Sequence, residues 1–254
     1  MKILHITDFD DTLCPRIVEG KPNKQQKHID HYKNFIKKHP EIIVTYSSGR
    51  TVQSILERIE THKLPLPDFI IGSVGGEIYD YKKKEYLKSW EEYLSKSKNW
   101  DNAEIRKITK DLGIKEQAEC EQHKYKISLF LYDTNDDELN KIKKTFDDKD
   151  IEINLVYSSK AYLDIIPLIT NKGKSGVFLA KYLNIPLKNV AISGDSFNDL
   201  DMFFENFGIK IAPSNSEPEL IEIVKNEDNF YLAKNEVAYG TVEGLEYFLK
   251  QKRK

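Results

Sequence analysis

The stretch Lys2-Ile3-Leu4-His5-Ile6-Thr7-Asp8-Phe9-Asp10-Asp11-Thr12 sets the frame for the whole chain. Its first six residues mix apolar and β-branched side chains, the composition of a short strand, and carboxylates gather at the C-terminal end. Outward from it, Ile29, Tyr32, Phe35 and Ile36 recur at helical spacing between Gln26 and His39, and Pro40 closes that segment. Glu41 to Tyr46 is a second, buried-type strand. Ser47-Ser48-Gly49-Arg50 follows it, and Val52, Ile55, Leu56 and Ile59 then mark a second amphipathic helix. Strand, helix, strand, helix is the pattern of a parallel sheet with helices packed on it.

A third strand runs from Asp68 to Val74, and Gly75-Gly76-Glu77-Ile78-Tyr79 reads as a tight turn. The character then changes. Residues 83–165 carry helical patterns at Asn102 to Leu112 and Asp136 to Phe146, and extended runs at Lys126 to Tyr132, Ile151 to Tyr157 and Tyr162 to Ile166. From Lys172 the alternation returns: a helix, a strand at Val190 to Ile192 ending at Gly194-Asp195, a helix from Leu200, a strand at Ile209 to Ala212, and helices at Glu217 to Val224 and Val242 to Leu249. The chain therefore reads as α/β: a Rossmann-like core from 1–82 and 166–254, helices on both faces, and an α+β module inserted at 83–165.

The 254 residues carry 39 Lys and Arg against 41 Asp and Glu, a formal net charge of -2. That balance gives no reason to expect nucleic acid or an anionic membrane as partner. No apolar run approaches a membrane span, and Asp8 arrives before a signal-peptide core could form, so a cytoplasmic location is expected. Cys14 and Cys120 are too few for a disulfide framework and read as reduced thiols. A monomer is compatible with the sequence, which leaves the oligomeric state open.

Open parallel sheets bind ligands at the C-terminal ends of their strands. Asp8 and Asp10 end the first strand, Ser48 ends the second, and Asp195, Asn198 and Asp199 follow a later one; Lys172 opens the preceding helix. Carboxylates with amide and hydroxyl groups form a hard-oxygen set that suits Mg²⁺. A cation beside a lysine and a helix N-terminus suits a phosphate group. Gly173-Lys174-Ser175 resembles the end of a P-loop, but position 168 is Leu where the first glycine would stand.

Asp8-Phe9-Asp10-Asp11-Thr12, Ser48, Asn171-Lys172-Gly173 and Gly194-Asp195-Ser196-Phe197-Asn198-Asp199 together resemble the four motifs of the haloacid dehalogenase superfamily of phosphotransferases. The likeness to its sucrose-phosphate phosphatase and sugar-phosphatase group extends into Ser73 to Tyr79, Lys126-Ile127-Ser128, Tyr162 to Pro167 and Glu243-Gly244-Leu245, and is weakest over 83–125. Some forty positions separate Asp8 from Ser48, whereas the long gap from Ser48 to Lys172 holds the insert. That placement resembles the class II (C2B-type) α/β cap and not a cap that follows the first motif. The short gap holds one helix and is expected to hold a short flap near Gly20 and Pro22.

The resemblance implies a Mg²⁺-dependent phosphatase acting on a small phosphomonoester, a sugar phosphate such as sucrose 6-phosphate or a related glycosyl phosphate. It implies Asp8 as nucleophile and Asp10 as proton donor and acceptor. It implies Mg²⁺ on Asp8, Asp195 and the main-chain carbonyl of Asp10, with Asp199 orienting the shell. Ser48, Gly49, Arg50, Lys172 and Asn198 would meet the substrate, and Lys126 in the insert would touch its sugar. Trp90, Trp100, Tyr125, Tyr157 and Tyr162 are core residues or sugar-stacking ones. Phe197 stands where a small residue is common, and Asp11 where Gly, Asn or His is. A phosphohexomutase and a non-catalytic sugar-phosphate sensor remain as alternatives.

Overall fold

Burial on both faces is what makes the first strand central: Ile3, Leu4 and Ile6 are all within 1% of complete burial, as parallel strands covered by helices on either side require. The structure, a computed structural model, describes residues 1–17 and 23–253, so the flap expected near Gly20 and Pro22 lies outside the described residues. In chain order the elements are β1 (Ile3–Thr7), α1 (Gln25–Lys38), β2 (Ile42–Ser47), α2 (Val52–His62), β3 (Phe69–Gly72), β4 (Glu77–Asp80), β5 (Glu85–Tyr86) and α3 (Lys88–Leu94). There follow α4 (Asn102–Asp111), β6 (Lys115–Glu116), β7 (Ile127–Phe130), α5 (Asp136–Asp147), β8 (Ile153–Ser158) and β9 (Tyr162–Pro167). The chain ends with α6 (Lys172–Tyr182), β10 (Val190–Ser193), α7 (Leu200–Phe204), β11 (Ile209–Ala212), α8 (Pro218–Val224), β12 (Phe230–Leu232) and α9 (Val237–Lys252).

Eight strands form the large sheet in the order β12-β11-β10-β1-β2-β3-β4-β5, parallel from β12 to β3. Because β1 lies between β2 and β10, the connections diverge to either side of it, and the crevice of a doubly wound sheet opens at its C-terminal end. Helices α1, α2 and α9 build one apolar layer around Tyr32, Ile55 and Phe248; α3, α6, α7 and α8 build the other around Trp90, Leu179 and Phe203. The second sheet, β6-β7-β9-β8, is antiparallel, and its core of Ile105, Ile127, Phe146 and Ile165 comes from α4, α5 and the strands themselves.

Four details differ from the sequence reading. Glu77 to Tyr79 is not part of a turn but the start of β4, antiparallel to β3, because Ser73 to Gly76 complete the reversal between Gly72 and Glu77. The boundary at 83 falls too early: β5 pairs with β4, and Trp90 and Leu94 of α3 are buried against the large sheet. Strand β12 closes the far edge unforeseen, since only three half-exposed residues carry it. Helix α9 begins at Val237 instead of Val242; Gly240, a poor helix former, masks that first turn, yet a β-carbon there would lie 2.2 Å from the Asn235 carbonyl oxygen.

Candidate active site

Three separate strand ends deliver the polar groups to one point. Lys172, first residue of α6, is held there by its N-cap: the Asn171 side chain accepts from the Lys174 amide at 2.7 Å. The fully buried Lys172 Nζ donates to Asp8 Oδ1 at 2.7 Å, Asn198 Oδ1 at 2.8 Å and Asp199 Oδ1 at 2.7 Å. An ammonium has three protons, and all three are used. Asp199 Oδ2 in turn accepts from the amides of Asp195 and Ser196. Gly194 makes room for this arrangement, since a β-carbon there would lie 2.5 Å from Asp199 Cβ.

Asp8, Asp195 and Asp199 each offer a carboxylate oxygen within 4.8 Å of the others, and all three are buried. Burial pushes the Asp8 carboxyl up to about 7 despite the pull of Lys172, with Asp199 and Asp10 adding repulsion. Burial likewise raises Asp195 well above the usual carboxylate range, reinforced by Asp8 and Asp199, although Thr12 Oγ1 donates to it at 2.5 Å. Burial alone would lower the Lys172 ammonium, but Asp199 and Asp8 outweigh it and hold the group above its ordinary value. One ammonium among three buried carboxylates leaves negative charge uncompensated, and the all-oxygen set fits a hard divalent cation such as Mg²⁺.

The Asp10 side chain stands apart from this cluster. Its Oδ2 accepts from Arg50 Nε and its Oδ1 from Arg58 Nη2, both at 3.0 Å. Nothing in the sequence reading pointed to Arg58. The available signal was its place on α2 three residues after Ile55 and just before Ile59, a charge bordering the apolar stripe. The turn after β2 is braced from β3: the Ser73 amide donates to the Arg50 carbonyl and the Val74 amide to the Ser48 carbonyl. Both donors sit at positive φ, and for the β-branched Val74 at φ 54° that conformation is strained.

Asp10, Ser48, Gly49, Arg50 and Asn198 open onto a cleft of about 450 Å³, whose opposite wall comes from the small sheet. There Ser128 on β7 and Asp164 on β9 are paired in register, and Ser128 Oγ donates to Asp164 Oδ1 at 2.5 Å. Phe130 and Tyr162 line the same wall, ring centroids 6.1 Å apart. Lys126 also lines the cleft but is 1% exposed; its Nζ donates to the Gly49 carbonyl at 2.8 Å and lies 3.9 Å from Asp164, so it is no surface lysine. Among the aromatic candidates, Trp90 and Tyr125 are core, Trp100 and Tyr157 pack against core clusters, and Tyr162 alone of the five reaches this cleft. Phe197 is accommodated at the surface, its amide donating to Glu217, while Ser196 and Asp199 keep the loop closed as a capping box.

Solved structures locate the architecture. The sucrose-phosphatase of Synechocystis sp. PCC6803, in complex with sucrose and phosphate, matches at a TM-score of 0.86 with 24% identity and 98% of both chains covered. A haloacid dehalogenase-like hydrolase from Bacteroides thetaiotaomicron matches at 0.65 with 16% identity, covering 97% of this chain and 99% of the other. The fold is that of the haloacid dehalogenase phosphatases, a mostly parallel sheet flanked by helices. Sequence narrows the class. The mannosylfructose-phosphate phosphatase of Agrobacterium fabrum is 31% identical over 207 residues, 81% of this chain and 83% of that protein. Sucrose-phosphatase 2 of Nicotiana tabacum is 27% identical over 214 residues, 80% of this chain, which spans about half the length of that plant relative. Residues 1–249 match the family of sucrose-6F-phosphate phosphohydrolases, and the chain belongs to that family of phosphatases. Among the described residues no helix is long and apolar enough to cross a membrane.

Proposed function

We propose that the chain hydrolyses a phosphorylated sugar, of the size of a disaccharide monophosphate, with Mg²⁺ and through a phosphoryl group carried on Asp8. The observation that carries this reading is Lys172: a fully buried ammonium that ties Asp8 to Asn198, a residue lining a cleft roofed by polar and aromatic groups. Relatives named for mannosylfructose phosphate and sucrose phosphate support the substrate class.

Asp8 attacks phosphorus in line, forming the Asp8 O–P bond as the bond from phosphorus to the sugar oxygen breaks. Asp10 gives its proton to that departing oxygen, then takes one from the water that opens the aspartyl-phosphate and releases inorganic phosphate. Ser48 and the Gly49 amide receive the phosphoryl oxygens, and Lys172 faces the negative charge that moves onto them. Asp8, Asp195 and the main-chain carbonyl of Asp10 would hold Mg²⁺, with Asp199 orienting its shell. When bound, the ion offsets repulsion between the phosphate and the carboxylates. On the opposite wall, Ser128 and Asp164 offer hydrogen bonds to sugar hydroxyls, and Phe130 and Tyr162 offer faces to its C–H groups.

The test is phosphate release from sucrose 6-phosphate, mannosylfructose phosphate, glucose 6-phosphate, fructose 6-phosphate and p-nitrophenyl phosphate, with Mg²⁺ and with chelator. The expected result is Mg²⁺-dependent turnover with kcat/KM highest for a disaccharide phosphate. Equal rates on all five would overturn the disaccharide assignment, and transfer to a second sugar instead of water would identify a mutase.

A further inference from the structure

Asp10 is gripped from two directions by arginines of different standing. Arg50 follows the Ser48-Gly49 turn and lines the cleft, where an incoming phosphate would compete for its guanidinium. Arg58 is not among the cleft-lining residues. It reaches Asp10 from the body of α2, and its guanidinium carbon lies 5.2 Å from the centroid of the buried Phe9 ring. Its Nε is buried without a hydrogen-bond partner among the described residues. A buried donor left unpaired is a cost to folding, so packing alone does not account for an arginine at this position.

We propose that Arg58 is a positioning residue for Asp10. It keeps hold of Oδ1 throughout turnover, while Arg50 lets go of Oδ2 when phosphate enters, so that Oδ2 is freed to take a proton from water and carries it toward the leaving sugar oxygen along a path set by the Arg58 tether. The resting carboxylate, with each oxygen occupied by one arginine, is thereby kept from the neighbouring acids until substrate is present. Charge-assisted hydrogen bonds from a planar guanidinium fix direction as well as distance, which is what a proton donor needs if it is to meet an oxygen that shifts during reaction. The inference rests on the phosphatase reading and on Asp10 as the proton donor.

The experiment compares wild type, Arg58→Met, Arg58→Lys, Asp10→Asn and the Asp10→Asn/Arg58→Met double variant on the best sugar phosphate of the panel and on p-nitrophenyl phosphate. p-Nitrophenolate leaves with little help from a proton. Arg58→Met is expected to lower kcat on the sugar phosphate by about 10- to 100-fold with KM little changed, and by under about threefold on p-nitrophenyl phosphate. Arg58→Lys should recover part of the loss, and the double variant should be no slower than Asp10→Asn. Equal losses on both substrates, or additive losses in the double variant, would overturn the role of Arg58. If Arg58→Met does not fold, judged by its melting curve, Arg58→Lys and Arg58→Gln carry the same two-substrate comparison. A wild type inert toward every phosphomonoester would overturn the phosphatase reading as well. An Asp10→Asn variant with full sugar-phosphate activity would remove the proton donor, and with it any partner Arg58 could position.

Discussion

The two walls of the cleft are held in place by different forces. Beneath the floor, Asp8, Lys172, Asp195 and Asp199 are nearly or wholly buried; Lys172 ties Asp8 and Asp199 by charge, and the Thr12 hydroxyl holds Asp195. On the roof, Ser128 and Asp164 owe their meeting to the register of β7 and β9, and Tyr162 keeps 42% of its surface exposed. Removing one member of a buried ionic cluster strands the rest, whereas trimming an exposed ring costs local contacts only. The floor therefore tolerates few changes and serves a reaction common to many substrates; the roof can vary with the leaving group at small cost to folding.

The strongest way to break this contrast is at the floor. Asp8→Asn is expected to lower turnover by about 10³-fold or more on every substrate, p-nitrophenyl phosphate included, because an amide is a poor nucleophile. Steady-state rates at saturating Mg²⁺ check it, and a variant that loses activity only on sugars would place the nucleophile elsewhere. Lys172→Met should be comparably inactive and also about 3–5 kcal/mol less stable, since it leaves buried carboxylates without their counter-charge. Urea unfolding measures this, and an unchanged midpoint would mean that the acids are neutral in the resting protein.

At the roof the effects should be smaller and selective. Lys126→Ala is expected to reduce kcat/KM for the sugar phosphate about tenfold while p-nitrophenyl phosphate hydrolysis is largely kept. A uniform loss would show that its bond to the Gly49 carbonyl serves the phosphate turn and not the sugar. Away from turnover, saturating Mg²⁺ should raise the melting temperature by about 5–10 °C, as about 2.7 kcal/mol at a hundredfold excess over Kd implies, and Asp195→Asn should abolish the shift. Differential scanning calorimetry reads both, and an undiminished shift in Asp195→Asn would move the cation away from this cluster.

How much could be foreseen follows the same division. Asp8, Ser48, Lys172 and Asp195 each stand at the end of a strand or the start of a helix whose apolar period is visible locally, so their convergence follows from the order of the elements. The pairing of Ser128 with Asp164 depends on a register spanning 36 positions, which no local pattern encodes. Arg58 was hidden for a related reason: its partner lies 48 residues away, and on α2 it resembles an ordinary charged flank. Strand β5, two exposed residues long, gave no periodicity at all.

His5 is fully buried in the middle of β1, its ring nitrogens 2.9 Å from the Tyr32 hydroxyl on one side and the Ser193 hydroxyl on the other. Burial lowers its pKa from 6.5 to about 3, so the folded protein keeps the ring neutral where the unfolded chain would protonate it. The sign follows from proton counting: above pH 6.5 neither state takes the proton, and between 6.5 and about 3 only the unfolded state does. Through His5 taken by itself, acid draws the chain toward unfolding by about 1.4 kcal/mol per pH unit in that window, while Asp8 and Asp195, raised by burial, bind protons first in the folded state and pull the other way. His5→Asn should flatten this slope in urea titrations from pH 7 to 5, and an unchanged slope would mean that other groups set it. A residue with no part in the chemistry thus gives the folded phosphatase a sensitivity to acid that its catalytic carboxylates do not share.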